Sequence, residues 1–217
     1  MSRARKSTAQ SRTLTRADVI DAAAQLENEQ GLAAVNMRAL AQRCGVSTMS
    51  LYRYVRDKDD VLAGLADRAF GTIALPTAGA ATWQEELTAM FRAIYDVCVA
   101  HPEVVAIGLK QPVPGEASYR RVEVVLDVLR RAGIEGEAAA SAFATLQSFT
   151  LGFVHQQLFL SSGDQFELRR GVIKELPVED FENLSRLGPV FLLRHSERHF
   201  DDGLDTIIRG LASKATQ

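Results

Sequence analysis

Apolar positions come in two textures along this chain. Over residues 15–70 they form short helical bursts. Thr15 with Asp18 three residues later forms a capping-box signal, and Val19, Ile20, Ala23 and Leu26 follow at helical spacing until Gly31. Asn36 is the next N-cap signal, leading into Met37, Leu40 and Ala41. After Cys44-Gly45-Val46, Ser47 is placed to cap a third helix reaching about Val55. Asp57 caps a fourth, whose apolar face is Val61, Leu62, Leu65 and Ala69. Residues 71–82, with Pro76 and Gly79, read as a linker.

Beyond residue 82 the stripes lengthen. Trp83, Leu87, Met90, Phe91, Ile94 and Cys98 form one; Val122, Val125, Leu126 and Leu129 form another, stopped by Gly133. Between them, Pro102 opens a short apolar turn ending near Gly108, and QPVPGE is loop. Residues 137–160 are the longest apolar stretch. Ala139, Phe143, Leu146, Phe149, Phe153 and Phe159 occupy more than one face there, which predicts burial on several sides. Residues 161–177 read as a mobile loop, and Leu204, Ile207, Ile208 and Leu211 mark an amphipathic helix near the end. With no sustained alternation of period two, the chain reads as all-α.

Charge divides the chain at about the same place as the stripes. Residues 1–60 hold ten Lys and Arg against seven Asp and Glu, while the remainder is acidic. The first 16 residues carry Arg3, Arg5, Lys6, Arg12 and Arg16 with no acid among them, which predicts a flexible basic arm over 1–14 and a polyanion partner for the front end. No apolar segment follows that basic start as a secretory signal would require. No run reaches the roughly 18–20 apolar residues that span a bilayer. The expectation is a cytoplasmic protein away from the membrane, with Cys44 and Cys98 as reduced thiols.

Two short helices flanking a glycine turn are the helix-turn-helix pattern, whose second helix lays its N-terminal residues in the DNA major groove. In CGVSTMSLYRYVRDK only Leu51 and Val55 look like core anchors. Thr48 and Ser50 suit base edges, Met49 a thymine methyl, and Arg53 guanine or phosphate. Tyr52 and Tyr54 suit phosphate, as does Lys58 with the backbone N–H groups opening its helix. Spacing alone fits a helical hairpin that merely packs equally well.

The run MRALAQRCGVSTMSLYRYVRDKDDVLAGLAD resembles the DNA-binding domain of the TetR family of transcriptional repressors. WQEELTAMFRAIYDVCVAHPEV, SFTLGFVHQQ and FDDGLDTIIRGL resemble the effector-binding domain of its tetracycline-repressor branch. The resemblance covers most of residues 15–212. It implies a three-helix DNA-binding domain over 15–70, and an effector-binding and dimerisation domain over 71–217. It also implies a DNA-contact set of Arg38, Ser47, Thr48, Met49, Ser50, Tyr52, Arg53, Tyr54 and Lys58. Arg38 would touch a base from the helix before the turn, and Arg53 stands where that branch has a tryptophan. The double-stranded operator would be near-palindromic. It would be read by a homodimer built on helices near 137–160 and 200–213, with repression relieved by a small-molecule effector.

Departures from the branch bear on the effector. Where its metal–drug sites place a histidine before a glycine of a short central helix, this chain has Ala106 in VAIGLK; where they place a glutamate after FTLG, it has Gln156. Hard divalent cations need oxygen ligands, and alanine supplies none. The expectation is no metal, no other cofactor, and a largely apolar pocket. Its walls would be Trp83, Phe91, Ile94, Tyr95, Leu109, Phe149 and Phe153, with His155 and Gln156 as polar groups. An enzyme is not expected. HSERH places His195 and His199 four apart, but Ser196 stands where a zinc protease needs its glutamate, and there is no phosphate-binding glycine loop or nucleophile elbow. The alternative is a nonspecific or architectural DNA-binding protein.

Overall fold

The computed structural model describes residues 13–75, 81–102, 115–160, 163–193 and 196–215. Helices account for its regular structure, and no strand occurs among the described residues. The chain divides into two compact units, Met1–Leu65 and Ala66–Gln217.

The first unit contains α1 (Arg16–Gln30), a 3-10 turn (Leu32–Ala34), α2 (Met37–Arg43), α3 (Thr48–Leu51) and the start of α4 (Lys58–Gly71). Each start follows from a local cap. The Thr15 hydroxyl accepts from Asp18 N at 3.2 Å while Asp18 Oδ2 accepts from Thr15 N at 2.8 Å. Asn36 Oδ1 accepts from Ala39 N at 3.0 Å, Ser47 Oγ from Ser50 N at 3.1 Å, and Asp57 Oδ1 from Asp60 N at 2.8 Å. Val19, Ala23, Val35, Leu40, Leu51, Val55 and Val61 are buried into one small core. α3 is shorter than its pattern predicts, ending at Leu51 rather than near Val55. The chain turns there, with Tyr54 N donating to Leu51 O, and Val55 reaches the core from that turn.

The second unit takes the rest of α4 and α5 (Trp83–Ala100), α6 (Glu116–Arg131), α7 (Gly136–Leu160), α8 (Gly163–Glu175), α9 (Glu182–Leu187), a 3-10 segment (Gly188–Leu193) and α10 (Glu197–Ala215). Its core joins Leu87, Met90 and Phe91 of α5 to Val125, Val128 and Leu129 of α6, Leu146 of α7, and Phe200 and Leu204 of α10. Glu86, almost wholly buried in α5, is paired with Arg131 of α6, which donates to its Oε1 at 3.2 Å and also engages Oε2. The pair ties α5 to α6, because the buried Glu86 charge would be costly without a partner.

Two expectations change here. Residues 161–177 were expected to be loop, yet Gly163–Glu175 is helical; the glycines at 163 and 171 had masked a run of good helix formers between them. In α7 one face is buried in the single chain, through Ala139, Ala142, Leu146, Thr150 and Val154, and the opposite ridge of Ala140, Ala144, Ser148 and Gly152 is exposed. The turn after Pro102, the VAIGLK segment with Ala106, and most of the basic arm lie outside the described residues. None of the helices is long and apolar enough to cross a membrane among the residues described.

Candidate nucleic-acid interface

The turn between α2 and α3 is dictated by Gly45, whose φ of +68° lies in the left-handed region that side-chain-bearing residues avoid. Val46 N donates to Ala41 O at 3.0 Å and Gly45 N to Gln42 O at 3.2 Å, the paired bonds of a Schellman stop. Ser47 then opens α3 immediately. Helix stop and helix start are thus packed into four residues, and α3 begins with its outward side chains uncommitted.

Those side chains are Thr48, Met49, Tyr52 and Arg53, all exposed; Met49 is 79% and Tyr52 48% accessible. Leu51 and Val55 anchor the segment from beneath. Ser47 and Ser50 are partly spent on each other: beside the cap, their hydroxyls lie 2.9 Å apart. Tyr54 is half-buried, and Arg38 and Lys58 are exposed.

The arginines of this unit fall into two groups. Arg43 is clamped to Glu29, with Nη1 donating to Oε1 at 2.9 Å, which holds the carboxyl below its usual range. Arg16 donates to Asp60 Oδ1 at 2.8 Å. Burial pushes the Asp60 carboxyl up, but the bonds from Arg16 and from the Arg56 backbone N–H outweigh it, and the group sits below the ordinary carboxylate value. By contrast, the side chains of Arg38, Arg53 and Lys58 make no hydrogen bond or ion pair among the described residues. Arg56 is a fourth outward cation, 81% exposed and only 3.9 Å-paired to Asp60, that the pattern of the sequence did not single out. The start of α4 is acidic as well, through Asp57, Asp59 and Asp60, and the Asp60 N–H is already taken by Asp57. Of the groups expected to hold phosphate there, the Asp60 N–H is thus committed, while the Lys58 side chain is exposed.

In the second unit the expected pocket residues are distributed unevenly. Phe91 and Tyr95 are core residues, each 1% exposed, and Trp83, Ile94, Phe149 and Phe153 are partly buried around that core. His155 and Gln156 lie on the exposed side of α7, and Leu109 is outside the described residues. Two further residues join the cluster around Tyr95. Gln157 accepts a hydrogen bond from Tyr95 Oη at 2.8 Å, and Phe200 stacks on Tyr95 with centroids 4.2 Å apart. Phe149 and Phe153 complete the cluster, each 5.5 Å from Phe200. Arg92 lies 5.1 Å over the Tyr95 ring and donates to Asp201 at 2.8 Å and Glu197 at 2.9 Å, tying α5 to the first turn of α10. Burial, only partly opposed by the Gln157 bond, pushes the Tyr95 phenol up. Phe200 had no local signal beyond an apolar position near the start of the last helix.

A capped helix pair joined by a Schellman turn, with exposed Thr48 and Met49 on the second helix and exposed cations before and after it, has the form of a helix-turn-helix DNA-binding protein. Residues 19–65 match the bacterial regulatory proteins of the tetR family, and residues 75–215 match the tetracyclin repressor-like C-terminal domain. The chain belongs to the TetR family of DNA-binding transcriptional regulators. An HTH-type transcriptional regulator of Saccharopolyspora erythraea is 28% identical over 210 residues, covering 95% of this chain and 89% of that protein. The transcriptional repressor DrrR1 of Streptomyces coeruleorubidus is 30% identical over 154 residues, which are 70% of this chain and 57% of that protein. Among solved structures, the TetR family protein ActR of Streptomyces coelicolor in complex with (S)-DNPA is 28% identical with a TM-score of 0.82, covering 94% of this chain and 100% of ActR. ActR has also been solved with actinorhodin, at a TM-score of 0.80 and 27% identity over 93% of this chain and 97% of that one.

Proposed function

We propose that this protein is a repressor that binds a near-palindromic operator as a homodimer and is released when a small, largely apolar effector enters its C-terminal domain. The carrying observation is the contrast within the first unit: Arg16 and Arg43 are tied to carboxylates, whereas Arg38, Arg53 and Lys58 are left open beside Thr48 and Met49. Sequence is read by groups that reach base edges, and position is held by groups that reach phosphate. Thr48, Met49 and Arg38 take the first role, Tyr52, Tyr54 and Lys58 the second, and Arg53 tunes operator preference. The basic arm adds affinity without specificity.

The DrrR1 repressor supports repression over activation, and the two ActR complexes support a small-molecule effector. The aromatic wall of Tyr95, Phe149, Phe153 and Phe200, with Gln157 as a polar anchor, favours an effector with a planar apolar body. Ala106 and Gln156 argue against a metal–tetracycline chelate, since neither offers a carboxylate to a hard cation. The exposed small-residue ridge of α7 spaces its members four apart, which suits close helix packing against a second copy alongside α10. Mechanistically, effector binding repositions α4 and with it the separation of the two reading helices. The coupling is reciprocal, so operator weakens effector by the same factor.

The decisive test is selection of bound DNA from a random pool, followed by competition between the selected fragment and random DNA at fixed salt. A preference of ~10³-fold or more supports the operator reading; a ratio near one replaces it with nonspecific binding. Removal of residues 1–12 is expected to weaken selected and random DNA alike and to lower the salt slope.

A further inference from the structure

Five helices of this chain, α1 to α5, are capped by the residue directly before them: Thr15, Asn36, Ser47, Asp57 and Thr82. α6 is different. Its N-cap position is Gly115, which has no side chain to offer. The cap comes instead from Asp67 of α4, far away in sequence. Asp67 Oδ1 accepts from Ser118 N at 3.1 Å and from Ser118 Oγ at 3.3 Å, and Oδ2 accepts from Ala117 N at 3.4 Å. A Cβ on Gly115 would lie 2.2 Å from Asp67 Cγ and 2.4 Å from both carboxylate oxygens. Glycine is therefore what lets the carboxylate close on the helix end. One turn along, the Arg121 guanidinium lies 4.5 Å over the Phe70 ring and donates to Ser118 Oγ at 3.0 Å and Ala117 O at 3.2 Å. Two successive turns of α4 thus grip the first two turns of α6.

The boundary between the two units falls inside α4 itself, after Leu65. The N-terminal end of that helix holds Arg16 and the turn following α3 through Asp60; the C-terminal end holds α6 through Asp67. We propose that Asp67, seated against Gly115, is the positioning residue that relays the state of the ligand domain to the DNA-reading unit: a shift of α6 is transmitted because α6 takes its cap from α4. This rests on the operator reading above and assigns the regulatory link of that same device. Asp67 belongs neither to the proposed DNA-contact set nor to the expected pocket residues. Its removal is expected to break the link while leaving DNA binding in place.

Because coupling is reciprocal, the link is testable with DNA alone. The probe is the fragment that wild-type protein selects from a random pool, and the readout is amide hydrogen exchange of residues 117–121 with and without that fragment. In wild type, operator should change this exchange by at least about fivefold, the lower end of the usual range of allosteric coupling. In Asp67→Ala and Gly115→Ala the change should vanish with operator affinity kept within about threefold, a margin below the usual range for a lost base contact. The double variant should be no worse than Asp67→Ala, since both substitutions remove one clamp. Asp67→Asn, which keeps an acceptor on a folded chain, should restore the response. An unaltered response in Asp67→Ala, none in wild type, or none in Asp67→Asn overturns the relay and leaves the operator reading standing. Wild-type protein that selects no sequence overturns both.

Discussion

In the first unit, polar side chains at helix starts close caps within three residues, and Arg38, Arg53 and Lys58 project without partners among the described residues. In the second, Arg92, Arg120, Arg130, Arg131, Arg170, Arg186 and Arg209 each have a carboxylate partner, and the aromatic residues from α5, α7 and α10 stack on one another. Both units are helical, yet the first keeps Arg38, Arg53 and Lys58 available beside its paired arginines, while these arginines of the second are paired internally. The difference fits the proposed division of labour. A surface that must meet a polyanion leaves cations unsatisfied until the partner arrives, and a domain that must hold its form around a ligand satisfies its own.

Substitutions can break that comparison or sharpen it. Phe200→Ala should have the largest effect, because it empties the centre of the aromatic cluster. A loss of about 3–5 kcal/mol is expected in urea unfolding of the second unit, while the operator preference of whatever remains folded stays intact. Equal loss of preference would mean the two units do not divide their labour. Arg38→Ala should do the converse. Discrimination at one operator base pair falls by roughly 1–3 kcal/mol, with the unfolding midpoint unmoved. A shifted midpoint would show Arg38 to be a packing residue.

Gly45→Ala tests the turn. No atom lies within 4 Å of the added Cβ, so only the left-handed backbone resists, at about 1–2 kcal/mol. Stability and operator affinity should fall together, since the turn aims α3. The smallest effect is expected from Asp60→Asn. The Asp60 carboxyl is held below its usual value, so its charge stabilises the folded unit above the ordinary carboxylate pKa near ~4 and ceases to do so as pH falls through the folded value. Wild type should therefore be the more stable at pH 7, and the two proteins should converge in a urea series as pH falls below the ordinary carboxylate value. A constant difference across that range would rule out the carboxylate charge as its source.

The caps at Thr15, Asn36, Ser47 and Asp57 were legible because a cap is a local bond between residues three apart. So was the turn at Gly45, which needs one residue type at one position. The family followed from that same short stretch. Other features were not legible for physical reasons. α3 ends at Leu51 because Val55 has to reach the core, a tertiary demand that no helical pattern over 48–55 could express. Phe200 and Gln157 join the aromatic cluster from helices widely separated in sequence, and apolar spacing does not say which ring stacks on which. The cap of α6 is the clearest case. Gly115 reads as a poor N-cap until Asp67, 48 positions earlier, is seen to supply the missing oxygen.

One cysteine lies in each unit. Cys98 is fully buried in the second, with its thiol pushed up to about 12 by burial; Cys44, at the end of α2, is partly accessible, and burial together with the nearby Asp18 charge raises its thiol too. Since the thiolate is the reactive form, alkylation at neutral pH is slowed at both, and at buried Cys98 it must wait for the second unit to open. The chain thus carries two chemical clocks in separate compartments of its fold. Cys44 should be labelled before Cys98, and operator DNA should slow the first clock more than the second. Without a second label, one alkylating reagent reports on the first unit and on the second independently.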